Sequence, residues 1–210
     1  MREAHRAVEL LEGEAPSREL AMAYSNQAQL SMLAEDVTGA IVSGRRAIEL
    51  ADRFGATEIL VHALNNVGCA EMGANIAAGE ARLEHSLALA LEAGLEEHVA
   101  RAYTNLGATR LMSREYARAE RHLRAGIDYS EEHDLDTWRV YMLGLEARLC
   151  LEQGRWNKAA ELAAGLVRDP GAPAATRITP LVVLGRLRAR VGDKTPGAAR
   201  RGARASPAHG

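Results

Sequence analysis

A repeat of about 40 residues constrains the fold of this chain more than any other feature of its sequence. Three segments share a large apolar residue, a small polar residue, an asparagine, a variable residue and a final Ala or Gly. The asparagines are Asn26, Asn66 and Asn105, which lie 40 and 39 residues apart. Self-similarity at a fixed period is typical of proteins that stack copies of one small structural unit.

The composition predicts that this unit is helical. Apolar residues make up 47% of the 210 residues but aromatic residues only 4%, because Ala and Leu supply most of the apolar content. Strands favour aromatic and β-branched side chains, whereas Ala, Leu, Glu and Arg favour helices. In one common register, the first helices of the units start near Ala21, Val61, Ala100, Val140 and Ile178. We therefore predict an all-α fold of antiparallel helix pairs, with a helix A and a helix B in each pair.

Small residues predict how these pairs pack. Ala28, Gly68 and Gly107 recur in helix A, and Ala119 and Ala159 recur in helix B. A short side chain at these positions lets the neighbouring helix approach closely. Because one helix pair cannot bury its apolar face alone, we expect the pairs to stack into a right-handed α-solenoid with a period of about 38–40 residues.

The repeated motif resembles the tetratricopeptide repeat. That resemblance rests on the large residue, Asn and Gly in helix A, an aromatic residue after the turn, and Ala in helix B, and it is best in Tyr103–Gly126. The period is longer than the roughly 34 residues of the standard repeat. Longer units are similar to the sensor region of large actinobacterial LuxR-type ATPase transcriptional regulators, and this similarity extends over Ser17–Asp193.

The chain is predicted to contain one repeat domain, residues 1–193, and a basic tail, residues 194–210. The domain would start with a lone helix B, Met1–Glu12, and end with a lone helix A, Ile178–Val191, whose stripe of Leu181, Leu184 and Leu187 lacks a partner. The tail carries four basic residues, no acidic residue and no Leu, Ile or Val, so we predict that it is disordered. Three explanations of this tail remain. The chain is a truncated or frame-shifted piece of a regulator, it is a stand-alone protein with a flexible tail, or the tail is a basic arm that binds nucleic acid.

The charge and the motifs exclude several classes of function. The net charge is −2, and residues 1–193 contain 22 basic and 28 acidic residues. Because phosphate backbones require clustered positive charge, the repeat domain is not expected to bind nucleic acid directly. The sequence contains no motif of nucleotide-binding loops, serine hydrolases or zinc proteases. His62 and Cys69 share a helix face, but two ligands make no closed metal site. We expect no enzyme activity, no cofactor and no metal.

Cysteine usage and hydropathy bear on the compartment. Cys69 and Cys150 lie in apolar helical stretches about 80 residues apart, which is typical of reduced packing residues. The first residues do not resemble a signal peptide, and no run of 18 apolar residues occurs. The sequence therefore predicts a cytoplasmic protein that does not enter a membrane.

The resemblance places a ligand groove on the concave side, along the A helices. The candidate groove residues are Asn26, Gln29, His62, Asn65, Asn66, Arg101, Thr104, Asn105, Tyr141 and Arg148. The resemblance implies that Asn26, Asn66 and Asn105 hydrogen-bond a peptide backbone, since an amide offers both an acceptor and donors. The alternative is that these asparagines bond the neighbouring helix.

Two functions remain open at this point. In the first, the chain is a non-enzymatic interaction or sensor module that binds a protein, a peptide or a small inducer in its groove, as a fragment of an ATP-dependent transcriptional regulator. In the second, it is a stand-alone tetratricopeptide adaptor that forms a homodimer through its uncapped repeat ends.

Overall fold

Helices follow one another along the whole described part of the chain. The computed structural model describes residues 2–191, and within that range it contains ten α-helices and no strand. The helices are α1 (Arg2–Glu12), α2 (Arg18–Leu33), α3 (Val37–Arg53), α4 (Thr57–Glu71), α5 (Ile76–Glu92), α6 (Glu96–Met112), α7 (Tyr116–Glu132), α8 (Asp136–Glu152), α9 (Trp156–Arg168) and α10 (Ile178–Val191). A short 3-10 turn, Ala174–Arg177, precedes α10. The predicted tail, residues 194–210, lies outside the described residues.

The helices form the predicted stack of pairs. Each A helix (α2, α4, α6 and α8) packs against the B helix that follows it (α3, α5, α7 and α9), while α1 packs on α2 and α10 packs on α8 and α9. Four A helices begin three or four residues before the predicted positions, and α10 begins at Ile178 as predicted. The predicted all-α solenoid is confirmed.

The tight turns between helices share one backbone conformation. In six of them, one residue has a positive φ between 56° and 76°. The next residue then donates its N–H to the carbonyl five positions earlier, as Asp36 does to Ser31 (2.9 Å) and Leu95 does to Ala90 (2.9 Å). This closure satisfies carbonyls at the helix end that would otherwise lack a donor. Because the closure is the same in all six turns, the helix that follows each turn makes a similar angle with the helix that precedes it.

Small residues allow the helices of one pair to touch through their backbones. A Cβ atom built on Gly79 of α5 would lie 2.7 Å from the carbonyl oxygen of Gly68 in α4, and one built on Gly68 would lie 3.0 Å from the carbonyl oxygen of Gly79. Neither position has room for a side chain. Gly68 therefore has the packing function that the sequence predicts.

The A helices form the inner layer of the stack. Each one contacts the next directly, from α2 through α4, α6 and α8 to α10, whereas the main contacts of the B helices are with A helices. In a curved stack the closer spacing belongs to the concave side. We call the surface along these five A helices the inner face.

The last described helix is better packed than the sequence suggests. Leu184 and Leu187 of α10 pack against a core cluster of α8 and α9 that includes Ala147 and Ala163, so only Leu181 of the predicted stripe is largely exposed, at 54%. In residues 2–191, no helix is both long enough and apolar enough to span a bilayer.

Candidate functional site on the inner face

Polar side chains join α2 to α4 beneath the inner face. The hydroxyl of Ser25 lies 2.7 Å from Nδ1 of His62, and Nδ2 of Asn66 donates to the backbone carbonyl of Ser25 (3.3 Å). All three side chains are buried. Both contacts involve Ser25 of α2, so together they fix the position of α4 relative to α2.

A second polar joint connects α4 to α6. Asn105 donates its Nδ2 hydrogen to Oδ1 of Asn65 (2.6 Å), while Nδ2 of Asn65 is buried and has no hydrogen-bond partner within residues 2–191. The rings of His62 and His98 meet edge to face, with centroids 5.9 Å apart. Polar contacts thus run without interruption from α2 to α6.

Both imidazoles are held toward the neutral form. Burial is the main cause that lowers the pKa of His62 to about 4, and the charges of Arg101 and His98 contribute to the same shift. The pKa of His98 is also lowered, first by burial and then by Arg101, although Glu58, 3.7 Å away, opposes the shift. At neutral pH the joint therefore carries no imidazolium.

The contact between Ser25 and His62 resembles a nucleophile and its base, but it does not form an active site. Such a pair needs a substrate carbonyl beside the hydroxyl. Ser25 is 0% exposed in the middle of α2, so no substrate reaches its Oγ atom. Burial also raises the pKa of the Cys69 thiol to about 12, which keeps the thiol protonated. These groups serve packing.

Arg101 is the cation that connects this buried joint to the surface. Its guanidinium lies 5.9 Å from the centroid of the Trp138 ring in α8, and the indole N–H of Trp138 donates to Glu97. Burial is the main cause that lowers the pKa of Arg101, opposed by Glu97. The side chain is partly exposed, yet its Nη1 atom is buried and has no hydrogen-bond partner in the part of the chain that the structure describes. Arg101 is therefore held in place with donor capacity unused.

The structure divides the ten predicted groove residues into two sets. His62, Asn65, Asn66 and Thr104 are at most 7% exposed and contact protein groups, among them the Ala100 carbonyl that Thr104 bonds. The other six reach the surface: Asn26 and Tyr141 are exposed, and Gln29, Arg101, Asn105 and Arg148 are partly exposed. Asn66 and Asn105 bond the neighbouring A helix, as in the alternative interpretation of the motif.

The sequence interpretation did not include His98 and Trp138 in the site. His98 is the third residue of α6, and Trp138 is the third residue of α8. A register based on helix starts aligns these two residues. It also aligns His62, Arg101 and Tyr141, so a position-by-position alignment of the units would have grouped them.

The described residues provide no arrangement that favours a metal ion. Among residues 2–191, no group of three or more His, Cys, Asp or Glu side chains is placed to hold one. The inner face instead offers hydrogen-bond donors and an aromatic ring to a bound molecule.

Comparisons with solved structures support the fold. The chain is similar to a Rap protein crystallised in complex with competence and sporulation factor, with a TM-score of 0.73 and 16% identity over 89% of this chain. It spans about half, 51%, of that Rap chain. It is also similar to BtubC (BKLC) from P. vanneervenii, with a TM-score of 0.70 and 19% identity, covering 100% of this chain and 94% of the other. No protein-family profile matches the sequence, and no curated protein matches it significantly.

Proposed function

We propose that the chain is a non-enzymatic interaction module that binds a protein or peptide on the inner face. The observation that carries this proposal is the side chain of Arg101, which is partly exposed and lies against Trp138. Its Nη1 atom has no hydrogen-bond acceptor among the described residues. Buried donors without acceptors are rare and cost free energy. Because Nη1 itself is buried, a backbone carbonyl or carboxylate of a ligand would bond the part of the Arg101 side chain that reaches the surface.

The buried and the surface groove residues would have different functions in binding. The buried residues Asn65 and Asn66 hold the A helices at a fixed spacing, and the surface residues on those helices contact the ligand. Tyr141, 41% exposed, has the same position in α8 that Arg101 has in α6 and offers an aromatic surface. Tyr and Arg are enriched among residues that dominate binding energy at interfaces.

The Rap complex supports this proposal. Its solved structure contains a protein of the same fold bound to competence and sporulation factor. A protein of this fold can therefore hold a bound partner, and we infer the same for this chain.

The test is capture of a partner by matched variants. Wild type, Arg101→Ala and Arg124→Ala would be immobilised, and proteins bound from an extract of the source organism would be quantified by mass spectrometry. Arg124, on the B helix α7, is 71% exposed and loses the same charge. A specific partner should be retained by Arg124→Ala and reduced about 30-fold by Arg101→Ala, the effect of losing about 2 kcal/mol. Equal retention by both variants, with helicity intact, would refute the inner face as the binding surface.

The regulator context is a finer proposal. It is supported by the sequence similarity of Ser17–Asp193 to the sensor region of LuxR-type regulators. There the module would transmit the binding of a protein or small inducer to an ATPase and a DNA-binding domain. Reading frames encoding a phosphate-binding loop upstream and a helix-turn-helix downstream would support this context. Their absence would contradict it.

Self-association is the second candidate function, and exposed apolar residues favour it. Leu10 of α1 is 59% exposed and Leu181 of α10 is 54% exposed, on opposite ends of the described stack. Contact between such ends would form a homodimer or a longer assembly. Sedimentation velocity across micromolar concentrations would show a dimer that Leu181→Asp dissociates. A monomer at every concentration would exclude this candidate.

A further inference from the structure

One face of α10 lacks the contact that the other A helices make with their B helices. A Cβ atom built on Gly107, the motif glycine of α6, would lie 2.6 Å from Leu123 of α7, whereas one built on the equivalent Gly185 of α10 would meet nothing within 4 Å. Leu181, four residues before Gly185, is 54% exposed, while its counterpart in α4, Leu64, is 4% exposed. Among the described residues, α10 thus presents a free apolar face of the kind that a B helix covers.

The opposite end of the described stack has the complementary gap. Leu10 of α1 is 59% exposed, whereas Leu50, 40 residues later at the same position of the B helix α3, is 2% exposed. Leu50 is buried because it packs against Leu20 and Ala21 of its own A helix, α2. Within residues 2–191, α1 packs mainly on the A helix that follows it. Its face for an A helix of its own is therefore free.

The register of the repeat determines which residues would meet if α1 of a second copy packed on α10. In the complete pair α6–α7, Gly107 faces Leu123, and a Cβ atom built on Gly126 would lie 2.6 Å from Cβ of Tyr103. The equivalent antiparallel contacts between α10 and α1 would join three pairs of apolar or small residues: Ile178 with Leu10, Leu181 with Ala7, and Gly185 with Ala4. None of these contacts would bury a polar side chain.

Charge favours this head-to-tail contact over a contact between two like ends. Residues 156–191, at one end, contain six basic and two acidic residues, a net charge of +4. Residues 2–33, at the other end, contain three basic and five acidic residues, a net charge of −2. Because α10 carries three arginines and no acidic residue, two copies of α10 would repel each other. Unlike ends attract, and complementary charge suppresses the wrong pairing.

We propose that α10 of one copy and α1 of a second copy pack as helix A and helix B of one composite repeat unit, so that the stack continues from copy to copy. The proposal rests on self-association, the second candidate function, and specifies its geometry. A head-to-tail interface joins two different surfaces, so it forms rings or open-ended assemblies instead of a closed two-fold dimer. Leu181 of one copy and Leu10 of the next then belong to the same interface.

Two single variants of the full chain, studied alone and mixed, test this arrangement. Leu181→Asp disrupts the surface on α10, and Leu10→Asp disrupts the surface on α1. Each variant alone lacks one of the two required surfaces, so sedimentation velocity should show monomers. An equimolar mixture should form a species of twice the monomer mass and nothing larger, because only one intact interface can form between the two variants. Wild type should form larger species as its concentration rises.

A third variant controls for the added charge. Val42 of the B helix α3 is 65% exposed and lies within the stack, away from both ends. Val42→Asp should therefore assemble like wild type. Circular dichroism checks that all three variants keep their helicity. Loss of assembly in Val42→Asp as well would refute the assignment of the interface to the ends.

The possible failures are distinguishable. A dimer of Leu10→Asp alone would show contact between two α10 ends, and a dimer of Leu181→Asp alone would show contact between two α1 ends. Either result would overturn the composite unit while self-association remains. A wild type that is monomeric at every concentration would refute self-association and the composite unit together. Capture of a partner on the inner face is measured separately and depends on Arg101.

Discussion

The side-chain amide of Asn105 donates to the side-chain oxygen of Asn65 at 2.6 Å, which joins α6 to α4. Asn66 makes the equivalent connection one unit earlier, because it donates to the carbonyl of Ser25 in α2. In both cases the asparagine of the repeated motif reaches the residue that precedes the asparagine in the preceding A helix. Asn26 has no preceding A helix among the described residues, and it is exposed.

The first prediction concerns this bond between A helices. Asn105→Ala should lower the free energy of unfolding by about 1–3 kcal/mol, because it leaves the buried Oδ1 atom of Asn65 without its donor. Urea unfolding monitored by circular dichroism measures the change. The exposed Asn26→Ala should stay within about 0.5 kcal/mol of wild type. Equal effects of the two substitutions would contradict the function assigned to the motif.

The second prediction compares two glycines within helices. Gly79→Ala should destabilise the protein by at least about 1–3 kcal/mol, because the new Cβ would lie 2.7 Å from backbone atoms of Gly68 and Met72. Gly165→Ala in α9 meets nothing within 4 Å and should stabilise by about 0.5–1 kcal/mol. Thermal unfolding of both variants gives the two signs. A stabilised Gly79→Ala would show that α4 and α5 are not in backbone contact.

The third prediction is a loss of stability in mild acid. Since burial lowers the pKa of folded His62 to about 4 from about 6.5, only the unfolded chain binds this proton between those values. The free energy of unfolding therefore falls as pH falls through that window, by about 2 kcal/mol from about pH 7 to about pH 5, and levels off below about pH 4. The groups that face His62 are Ser25, His98 and Arg101.

Urea unfolding of wild type and His62→Gln at both pH values tests this window. The variant should lose less stability than wild type, by about 2 kcal/mol. Some pH dependence should remain in the variant because the pKa values of His98 and His122 are lowered as well. Identical pH dependence in the two proteins would place the proton uptake elsewhere.

The fourth prediction concerns the buried arginine of α6. Arg110 is 1% exposed and forms ion pairs with Glu80 of α5 and Glu115, which directly precedes α7. Arg118 also pairs with both carboxylates, at 3.4 and 3.3 Å, and would remain their partner. Arg110→Ala should therefore cost about 2–3 kcal/mol, below the roughly 3–5 kcal/mol expected when a buried charge loses its only partner. The exposed Arg124→Ala should cost less than about 1 kcal/mol. Chemical denaturation measures both losses in the free energy of unfolding. A loss below about 1 kcal/mol for Arg110→Ala would mean that water solvates the carboxylates of Glu80 and Glu115 in the variant.

The fold could be predicted from the sequence because each of its causes is local or repeated. The asparagine spacing gave the period, and the scarcity of aromatic residues excluded strands. Helix starts were displaced by three or four residues because the register was taken from apolar positions, whereas α2 begins after the capping Ser17, whose side chain accepts from Leu20.

The site was less predictable because burial depends on neighbouring units. Asn66 and Asn105 occupy the same motif position, yet one is 1% exposed and the other partly exposed. The ion pairs of Arg110 join residues up to 30 positions apart, so no local pattern indicated them.

Direct contact among the A helices has a mechanical consequence for the described stack. The inner layer is a continuous row of touching helices, so its length resists change, while the B helices are connected mainly through it. When the stack bends, the distances between neighbouring B helices should therefore change, while the distances between neighbouring A helices stay nearly constant. A ligand that contacts several A helices would then hold them at one spacing. Its binding would change the curvature of the whole described stack, including helices that it does not touch.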